Sequence, residues 1–433
     1  MEAIKLPVLE PRLQRRYHKL VVSHMRTASP SVAGVASLPD KGKAFAATQA
    51  AWRFNNNENV TLPALVEPLR ACGRELIATT HAPFALLVHD WSKVALVNND
   101  DAGPLTHAAD VGYELTTALL VRADDGAPVA PMEFHCRTNE GFLSTRSHTR
   151  HVSHVDQILP TMNASRTWEL SLTLLHVIDR EADSVGHFRK WHKAGHLFLV
   201  RADDRQVLWN RKRTRLSMIR RALGRGRHFQ QVGENGVACY QGRPATLFIA
   251  ETEVVLDRPA KKKINKRSTA IAGVALKLRL VLVQVRDASD RTVACWLLLS
   301  NMPREWASSE QLAWCYYWRW NIETYFKLLK SHGMHLEQWR QESGPAVARR
   351  LLVAAMACVV VWQLQHSDTQ AARDFKDALV RLSGRQTKAG KPHTAPALLA
   401  GLGVLMPMLT LLEHTPLDTL KEFVKPLTFR ASG

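Results

Sequence analysis

Two short apolar runs that each lead to an aspartate constrain the fold of this chain more than any other feature. Phe84-Ala-Leu-Leu-Val-His precedes Asp90, and Leu172-Thr-Leu-Leu-His-Val-Ile precedes Asp179. Runs of this length and composition are typical of buried strands. A carboxylate at such a position costs free energy unless it is paired or binds a metal. If both runs belong to one sheet, the two carboxylates can share divalent metal ions, which prefer oxygen ligands.

The segments around these runs predict a mixed sheet flanked by helices. Residues 113–121 and 128–135 have the composition of strands, and the sequence Asp124-Asp-Gly between them is typical of a hairpin turn. A helix is expected at about 184–194, followed by a strand at 197–201. The order of three strands, a connection, a strand, a helix and a strand predicts an α/β or α+β layer architecture.

The charge of the chain indicates the class of partner. Lys plus Arg is 58 and Asp plus Glu is 39, which gives a formal net charge of +19. An excess of this size attracts polyanions, and nucleic acid is the first candidate because each neutralised phosphate releases counterions. A basic protein with no such partner is the alternative interpretation. Apolar residues make up 46% of the chain, so a large core can form and disorder of the whole chain is not expected.

Other features exclude several classes of protein. The six cysteines form no C-x-x-C pair, so a zinc finger or a disulfide framework is not expected and a reducing cytoplasm fits. Residues 1–16 lack the apolar segment of a signal peptide. The apolar run at 351–364 spans about 14 residues, which predicts a buried helix and no membrane partner.

The regions outside the central segment have different patterns. Residues 1–75 predict helices, one of which begins after Thr61 because a proline follows in the first turn. Residues 205–295 predict a mostly β insertion. Its basic run, Lys261-Lys-Lys-Ile-Asn-Lys-Arg, is interpreted as a loop that is either solvated or in contact with nucleic acid.

The C-terminal third is predicted to be helical. Residues 308–331 have the pattern of one long helix, and the chain beyond about 345 has the pattern of helices with loops near 383–394. The long helix presents a stripe of polar side chains at intervals of three, four, four and three residues. They are Tyr316, Arg319, Glu323, Lys327 and Lys330. This spacing places them on one face about 21 Å long, as either a solvated ion-pair face or part of a site.

Phosphoryl transfer to DNA needs this combination of residue types. Three carboxylates can hold two metal ions about 3.5–4 Å apart, which stabilise the attacking and leaving oxygens. Arg319 and Lys330, on either side of Glu323, can grip phosphates and offset developing charge. The hydroxyl of Tyr316 can position the DNA backbone.

The spacing Tyr316-x-x-Arg319-x-x-x-Glu323-x-x-x-x-x-x-Lys330 resembles the Tyr-Arg-Glu-Lys signature of bacterial insertion-sequence DDE transposases of the Tn-five type. Asp179-Arg-Glu-Ala-Asp is similar to the segment that carries the second aspartate of that family, and His89-Asp90 is similar to the segment that carries the first. The resemblance implies that Asp90, Asp179 and Glu323 are the catalytic and metal-binding residues. The implied cofactor is Mg²⁺, with Mn²⁺ also accepted.

The same resemblance implies a ribonuclease-H-like mixed-sheet core with a mostly β insertion and helical N- and C-terminal regions. The implied regions are an N-terminal DNA-binding region at 1–75, the first part of the catalytic core at 76–204, the β insertion at 205–295, the second part of the core with the Glu helix at 296–350, and a C-terminal dimerisation region at 351–433.

The residues implied to contact DNA share a basic or aromatic side chain. They are Tyr316, Arg319, Lys330, Lys327, Arg201, Trp296, Arg53 and Arg340. Trp296 falls where the family has a tryptophan that stacks on a flipped base, although a core tryptophan is an equal alternative. Arg53 lies in a segment similar to one that contacts transposon-end DNA.

The implied activity is cut-and-paste transposition. The enzyme cleaves transposon ends through a hairpin intermediate and joins them to target DNA, acting as a homodimer on double-stranded DNA in the nucleoid of a bacterial cell. Two alternatives remain open at this point. One is a ribonuclease-H-like nuclease that does not join strands, and the other is a DNA-binding protein without catalysis.

Overall fold

The computed structural model describes most of the chain. The described residues are 4–26, 41–96, 102–104, 111–139, 141–146, 153–226, 228–232, 237–264, 267–385 and 393–424. Parts of the predicted N- and C-terminal regions, at 27–40, 386–392 and 425–433, therefore lie outside the described residues.

The helices of the described residues lie mainly at the two ends of the chain. They are α1 (Pro11–Arg26), α2 (Lys41–Asn55), α3 (Leu62–Ala78), α4 (His154–Ser165), α5 (Val185–Lys193), α6 (Leu216–Arg225), α7 (Ser309–Tyr317), α8 (Trp320–Lys330), α9 (Gly344–His366), α10 (Gln370–Leu382), α11 (Ala395–His414) and α12 (Leu417–Val424). Two short 3-10 helices cover Arg180–Ala182 and Leu336–Gln338.

The strands of the described residues fill the middle of the chain. They are β1 (Phe84–Val94), β2 (Gly103–Pro104), β3 (Val111–Arg122), β4 (Pro128–Arg137), β5 (Phe142–Ser144), β6 (Thr173–Ile178), β7 (Leu197–Arg201), β8 (Gln206–Trp209), β9 (Lys212–Arg215), β10 (Gln230–Gln231), β11 (Val237–Tyr240), β12 (Arg243–Leu256), β13 (Ala260–Ile264), β14 (Arg267–Ile271), β15 (Leu276–Arg286) and β16 (Thr292–Ser300).

One large mixed sheet organises the molecule. Its main path runs β5-β4-β3-β1-β6-β7-β16-β15-β12-β8-β9. Strand β1 pairs in parallel with β6, and β6 in parallel with β7, whereas β3 and β4 are antiparallel to their neighbours. The predicted mixed α/β architecture is therefore confirmed. Helix α5 connects β6 to β7, and it lies where a helix was predicted, at about 184–194.

The strands predicted as an insertion extend this same sheet. Strand β16 pairs with β7, with Leu298 opposite Arg201 and Ser300 opposite Leu199. Backbone hydrogen bonds therefore join the central strands to β15 and β12 without an interruption. The insertion is mostly β, as predicted, but it also contains α6.

The basic run at 261–267 was predicted to be a loop, and that prediction is wrong. Strands β13 and β14 pair in antiparallel register, with Ala260 opposite Ile271 and Lys261 opposite Ala270. They form a separate two-stranded ribbon. The run was misjudged because its mostly basic composition has no apolar alternation that would reveal a strand.

The single helix predicted at 308–331 is also wrong, because the chain bends after α7. The Asn321 side chain donates hydrogen bonds to the carbonyl of Trp318, at 3.0 Å, and to the carbonyl of Gly126 in the β3–β4 turn, at 2.8 Å. This contact with a distant turn ends α7 at Tyr317 and starts α8 at Trp320. The bend places Arg319 between the two helices.

The helical ends of the chain pack against the sheet. Thr61 caps α3 through a hydrogen bond from the Ala64 amide, as predicted. Helix α9 is the central helix of this layer, and it confirms the buried helix predicted from the run at 351–364. By length and composition α9 and α11 are both apolar enough to cross a membrane, but 89% of the relevant α9 segment is buried inside the protein, against 33% for α11.

The parallel register of β1 and β6 positions the two aspartates. His89 lies opposite Ile178, so Asp90 and Asp179 are the next residues on neighbouring strands. Strand β6 ends at Ile178 while β1 continues to Val94. A crevice therefore opens beyond the carboxyl end of β6, which is the usual place for a ligand site in a sheet of this kind.

The β3–β4 turn should be sensitive to any side chain at Gly126. This residue has a φ of +74°, and a Cβ there would overlap the indole ring of Trp318. We expect Gly126→Ala to lower the free energy of unfolding by about 2–4 kcal/mol, measured by urea denaturation. Gly242→Ala is the control because its φ is +77° with no atom within 4 Å of the added Cβ. Equal losses in the two variants would contradict the packing argument.

Candidate active site at the end of strand β6

Three carboxylates from distant parts of the chain converge on one guanidinium group. Arg319 Nη1 donates to Asp90 Oδ2 at 3.0 Å, and Nη2 donates to Glu323 Oε1 at 2.6 Å. Nη2 also lies 3.7 Å from Asp179 Oδ2. The sheet supplies Asp90 and Asp179, and the first turn of α8 supplies Glu323 four residues after Arg319. The structure thus brings together the three acids and the arginine that the sequence analysis singled out.

The environment of Arg319 stabilises its charge. Its side chain is only 4% exposed, and its Cζ lies 5.8 Å from the ring centroid of Tyr316 and 5.6 Å from that of Trp320. Burial lowers the pKa of Arg319, but Tyr316 and the surrounding carboxylates outweigh burial and raise it above its usual value. The guanidinium is therefore a permanent cation within a group of acids.

The two aspartates differ in their electrostatics. Burial raises the pKa of Asp90 to about 6, although Arg319 and the Trp91 amide act in the opposite direction. Burial also disfavours the charge of Asp179, but Arg319, the Arg180 amide and the Tyr316 hydroxyl together lower its pKa. Asp179 therefore carries a full charge at neutral pH, whereas Asp90 titrates close to neutrality.

Tyr316 supports one of these acids directly. Its hydroxyl donates a hydrogen bond to Asp179 Oδ1 at 2.9 Å, and burial together with Asp179 raises the pKa of the phenol well above its usual range. The ring also packs against Trp296 with centroids 5.2 Å apart. In this arrangement the hydroxyl positions a carboxylate, and its predicted contact with the DNA backbone stays a prediction.

Two further basic residues border the site. Arg201, at the end of β7, places Nη1 at 3.8 Å from Asp179 Oδ1 and is half-buried. Lys330, at the end of α8, donates to the Ser92 hydroxyl at 3.3 Å and pairs with Glu337 at 3.3 Å. Both cations therefore lie next to the strands that carry the aspartates.

The remaining residues predicted to contact DNA lie in other environments. Lys327 is exposed on α8 and lines a separate cavity of about 790 Å³ that also contains Trp318 and Trp320. Trp296 is a core residue of β16 with 4% exposure, which agrees with its alternative interpretation as a core tryptophan. Arg53 and Arg340 are exposed, outside the carboxylate cluster, on α2 and just before α9. The roles of these four residues in DNA binding stay predictions.

A second polar cluster beside the acids was not found by sequence reasoning. His154, at the start of α4, lies 3.0 Å from Glu181 and 3.4 Å from Glu114, and its ring stacks on Trp91 at 4.6 Å. Glu181 follows Asp179 by two residues, and Trp91 follows Asp90. His154 and Trp91 line the small crevice that also contains both aspartates. The only signal in the sequence was that Trp91 and Glu181 lie within two residues of Asp90 and Asp179.

The carboxylates do not form a ready-made metal cage in this arrangement. Within the described ranges, no group of three or more Asp, Glu, His or Cys side chains is close enough to hold a metal ion as it stands. In this arrangement the guanidinium of Arg319, and not a metal ion, contacts all three carboxylates.

A model of a known protein family matches the central part of this chain. The model described as "Transposase DDE domain" matches residues 135–360, about half of the chain, and this range includes Asp179 and Glu323. The chain matches no curated protein sequence.

Two solved structures show a distant likeness. One is a piggyBac transposase synaptic complex with hairpin DNA, at 9% identity and a TM-score of 0.38, covering 96% of this chain and 76% of that chain. The other is a Drosophila P element transposase strand transfer complex, at 10% identity and a TM-score of 0.22, covering 96% of this chain and 87% of that chain.

The His154 cluster predicts a pH-dependent contribution to stability. Burial lowers the pKa of His154, but Glu114 and Glu181 outweigh burial and raise it. The folded-state pKa thus exceeds the unfolded value, so the contribution is complete below about pH 6.5 and is lost as pH rises through the folded pKa.

We therefore expect His154→Gln to lower the free energy of unfolding by about 1 kcal/mol at pH 6 and by less at pH 9. Urea denaturation at the two pH values measures the difference. His18→Gln on the exposed face of α1 is the control. A loss in His154→Gln that is the same at both pH values would contradict the charged interaction.

Proposed function

We propose, from the premise that this chain belongs to the transposase DDE domain family, that it cuts and rejoins DNA with Asp90, Asp179 and Glu323 as its catalytic carboxylates. Family membership makes the chain a DDE transposase, an enzyme that acts on DNA. The assignment of these three residues and the details of the reaction are the proposal.

The observation that carries the proposal is the convergence of the three acids. They come from positions 90, 179 and 323, on two strands and a helix, yet all three lie within 4 Å of one guanidinium. Carboxylates repel one another, so such a cluster needs a compensating cation or a functional reason. Asp90 and Asp179 line the crevice beyond β6, which supports their access to a substrate.

We propose that the core is ribonuclease-H-like. The order β4-β3-β1-β6-β7, with β1, β6 and β7 parallel and β3 antiparallel to β1, supports this assignment. The predicted boundaries at 205 and 295 are then boundaries in the sequence only, since strands β8 to β12, β15 and β16 belong to the same sheet as the core.

The donor set fits divalent metal ions by its chemistry. Three carboxylates offer only oxygen ligands, which Mg²⁺ and Mn²⁺ prefer. Asp90, Asp179 and Glu323 would hold the ions, with Mg²⁺ as the proposed cofactor and Mn²⁺ also accepted. When bound, two such ions supply Lewis-acid stabilisation of the attacking and leaving oxygens.

The chain's own residues then orient the reacting groups. Tyr316 fixes one oxygen of Asp179 through its hydroxyl. Lys330 and Arg201, on two sides of the cluster, are placed to bind phosphate oxygens of the scissile strand. We propose that these contacts hold the scissile phosphate for in-line attack, because catalysis of phosphoryl transfer consists largely of positioning and electrostatics.

We propose cut-and-paste transposition as the overall reaction. A water cleaves one strand, the freed 3′ hydroxyl attacks the opposite strand to give a hairpin, a second water opens it, and the 3′ ends attack target DNA. The Tyr-Arg-Glu-Lys spacing on α7 and α8 supports an insertion-sequence transposase of the Tn-five type. A homodimer on double-stranded DNA, in the cytoplasm of a bacterial cell, completes the proposal.

A basic groove supports DNA binding by the N-terminal helices. It has a volume of about 350 Å³ between α1 and α2, and its basic lining residues are Arg12, Arg15, Arg16, Lys19 and Arg53. Burial and the neighbouring Arg12 lower the pKa of Arg16, which shows that the cations here repel one another. Such repulsion is relieved when phosphates bind.

Replacing the helix carboxylate should separate binding from chemistry. We expect Glu323→Gln to keep affinity for the element's end DNA and to slow strand cleavage in Mg²⁺ on the order of 10³-fold, about 4 kcal/mol in activation free energy. Gel-shift and cleavage assays measure the two properties. Glu253→Gln on exposed β12 is the control, and cleavage by Glu323→Gln at the wild-type rate would remove the assignment.

The same assay distinguishes a transposase from a nuclease. Wild-type protein with Mg²⁺ and end DNA should give a hairpin and, with added target, a joined product. Cleavage without either product would contradict the cut-and-paste proposal.

The basic groove predicts a change in salt dependence. If Arg53 neutralises one phosphate, Arg53→Ala should reduce the slope of log affinity against log salt by about one. Titrations between about 50 and 200 mM salt measure the slope. Arg373→Ala on α10, where the arginine pairs with Asp368, is the matched control. An unchanged slope in Arg53→Ala would show that Arg53 does not contact phosphate.

A further inference from the structure

We propose that Arg319 is a resident counter-ion that competes with divalent metal for the three carboxylates, so that its guanidinium must leave them before metal binds. This inference rests on the proposed function and concerns the regulation of the same site. It assigns Arg319 a role in gating metal access, in addition to the phosphate contact expected from the sequence.

The contacts of Arg319 involve oxygens that a metal would need. Nη1 and Nη2 engage Asp90 and Glu323 with hydrogen bonds of 3.0 and 2.6 Å, and Nη2 lies 3.7 Å from Asp179. A guanidinium and a metal ion are both cations that bind carboxylate lone pairs. They cannot occupy the space between the same oxygens together, because two like charges at that separation repel strongly.

Arg319 is held firmly enough to compete. Its side chain is 4% exposed, and charge-assisted hydrogen bonds are about twice as strong as neutral ones. Among the residues described, no three of the acids form a group that could hold a metal ion while the guanidinium is in contact with them. Removal of the guanidinium would let the acids approach a smaller and more highly charged ion.

The guanidinium is also able to move away. Its Nε is buried and makes no hydrogen bond within the described parts of the chain. The rings of Tyr316 and Trp320 flank it at 5.8 and 5.6 Å and can stabilise the cation in a second position. Arg319 lies in the bend between α7 and α8, so its backbone is outside both helices.

The charge of the site favours the exchange. The guanidinium carries one positive charge, whereas the three carboxylates within 4 Å of it can carry three negative charges. A divalent ion brings more positive charge to the same oxygens. Metal binding is therefore favourable overall but weakened by the contacts that must first be broken.

The experiment is a Mn²⁺ titration of the full chain without DNA, with free Mn²⁺ measured by electron paramagnetic resonance. We expect Arg319→Gln to bind Mn²⁺ about tenfold more tightly than wild type, because no guanidinium contacts must be broken. Lys327→Gln removes one positive charge from exposed α8 and controls for general electrostatics. It should change the Kd by about twofold or less.

A Kd in Arg319→Gln that equals or exceeds the wild-type value would overturn the proposal. So would a tightening in Lys327→Gln as large as that in Arg319→Gln. If Arg319→Gln does not fold, as judged by circular dichroism, Arg319→Lys replaces it. Lysine lacks the planar guanidinium group whose two terminal nitrogens contact two acids at once, so we expect a Kd for Mn²⁺ about threefold below that of wild type. An unchanged or higher Kd in Arg319→Lys would overturn the proposal.

A separate variant tests the proposed function itself. Asp90→Asn removes a proposed ligand and should weaken Mn²⁺ binding on the order of tenfold or more. Wild-type affinity in Asp90→Asn would show that the metal site is elsewhere, whatever Arg319→Gln does. If Asp90→Asn binds Mn²⁺ more weakly than wild type and Arg319→Gln binds it equally well, the metal site is supported and the competition by Arg319 is rejected.

Discussion

Electrostatic repulsion among three partly exposed carboxylates around one buried guanidinium is the constraint on which this structure depends. Asp90, Asp179 and Glu323 come from separate elements, and each would disfavour the others in the absence of a cation. Arg319 lies at their centre with 4% exposure and offsets part of this charge. Because the acids repel one another, a cation that binds between them lowers the free energy of the site. This holds for the guanidinium of arginine and for a metal ion.

The position of Arg319 depends in turn on a contact far from the acids. The β3–β4 turn approaches Trp318 closely at Gly126, and Asn321 donates to the carbonyls of both residues. The helix is interrupted at Trp318 and Arg319, next to these contacts. Arg319 keeps helical dihedral angles as the residue before α8, and from there its side chain reaches Asp90 and, one turn further along, Glu323.

The sequence predicted the parts of the site that rest on local patterns. Apolar strand composition before Asp90 and Asp179 predicted two strand-end acids, and the structure places them on neighbouring parallel strands. Spacing alone grouped Glu323 with Arg319 and Lys330. Their chemical roles remain proposals, because a pattern indicates placement and not reactivity.

The features that escaped prediction are contacts between distant segments. The polar stripe at 308–331 has the spacing of one continuous helix, so this pattern did not indicate the interruption at Trp318 and Arg319, next to Gly126 and Asn321. Continuity of the sheet through β7 and β16 depends on pairing between positions about a hundred residues apart. His154 reaches Glu114 and Glu181 only because α4 packs beside the crevice, and an isolated histidine in a polar segment gives no sign of that.

The order of the elements along the chain has a consequence for protein synthesis. A nascent chain contains both aspartates once residue 179 has emerged, but it lacks Arg319 and Glu323 until synthesis has passed position 323. At about 5–20 residues per second, the interval from 179 to 323 lasts on the order of 7–30 s. Two acids without their arginine are exposed to solvent metal during that time, yet the cluster is incomplete. With Asp90, Asp179 and Glu323 as the proposed catalytic acids, the ribosome-bound chain cannot cleave DNA until Glu323 has been made.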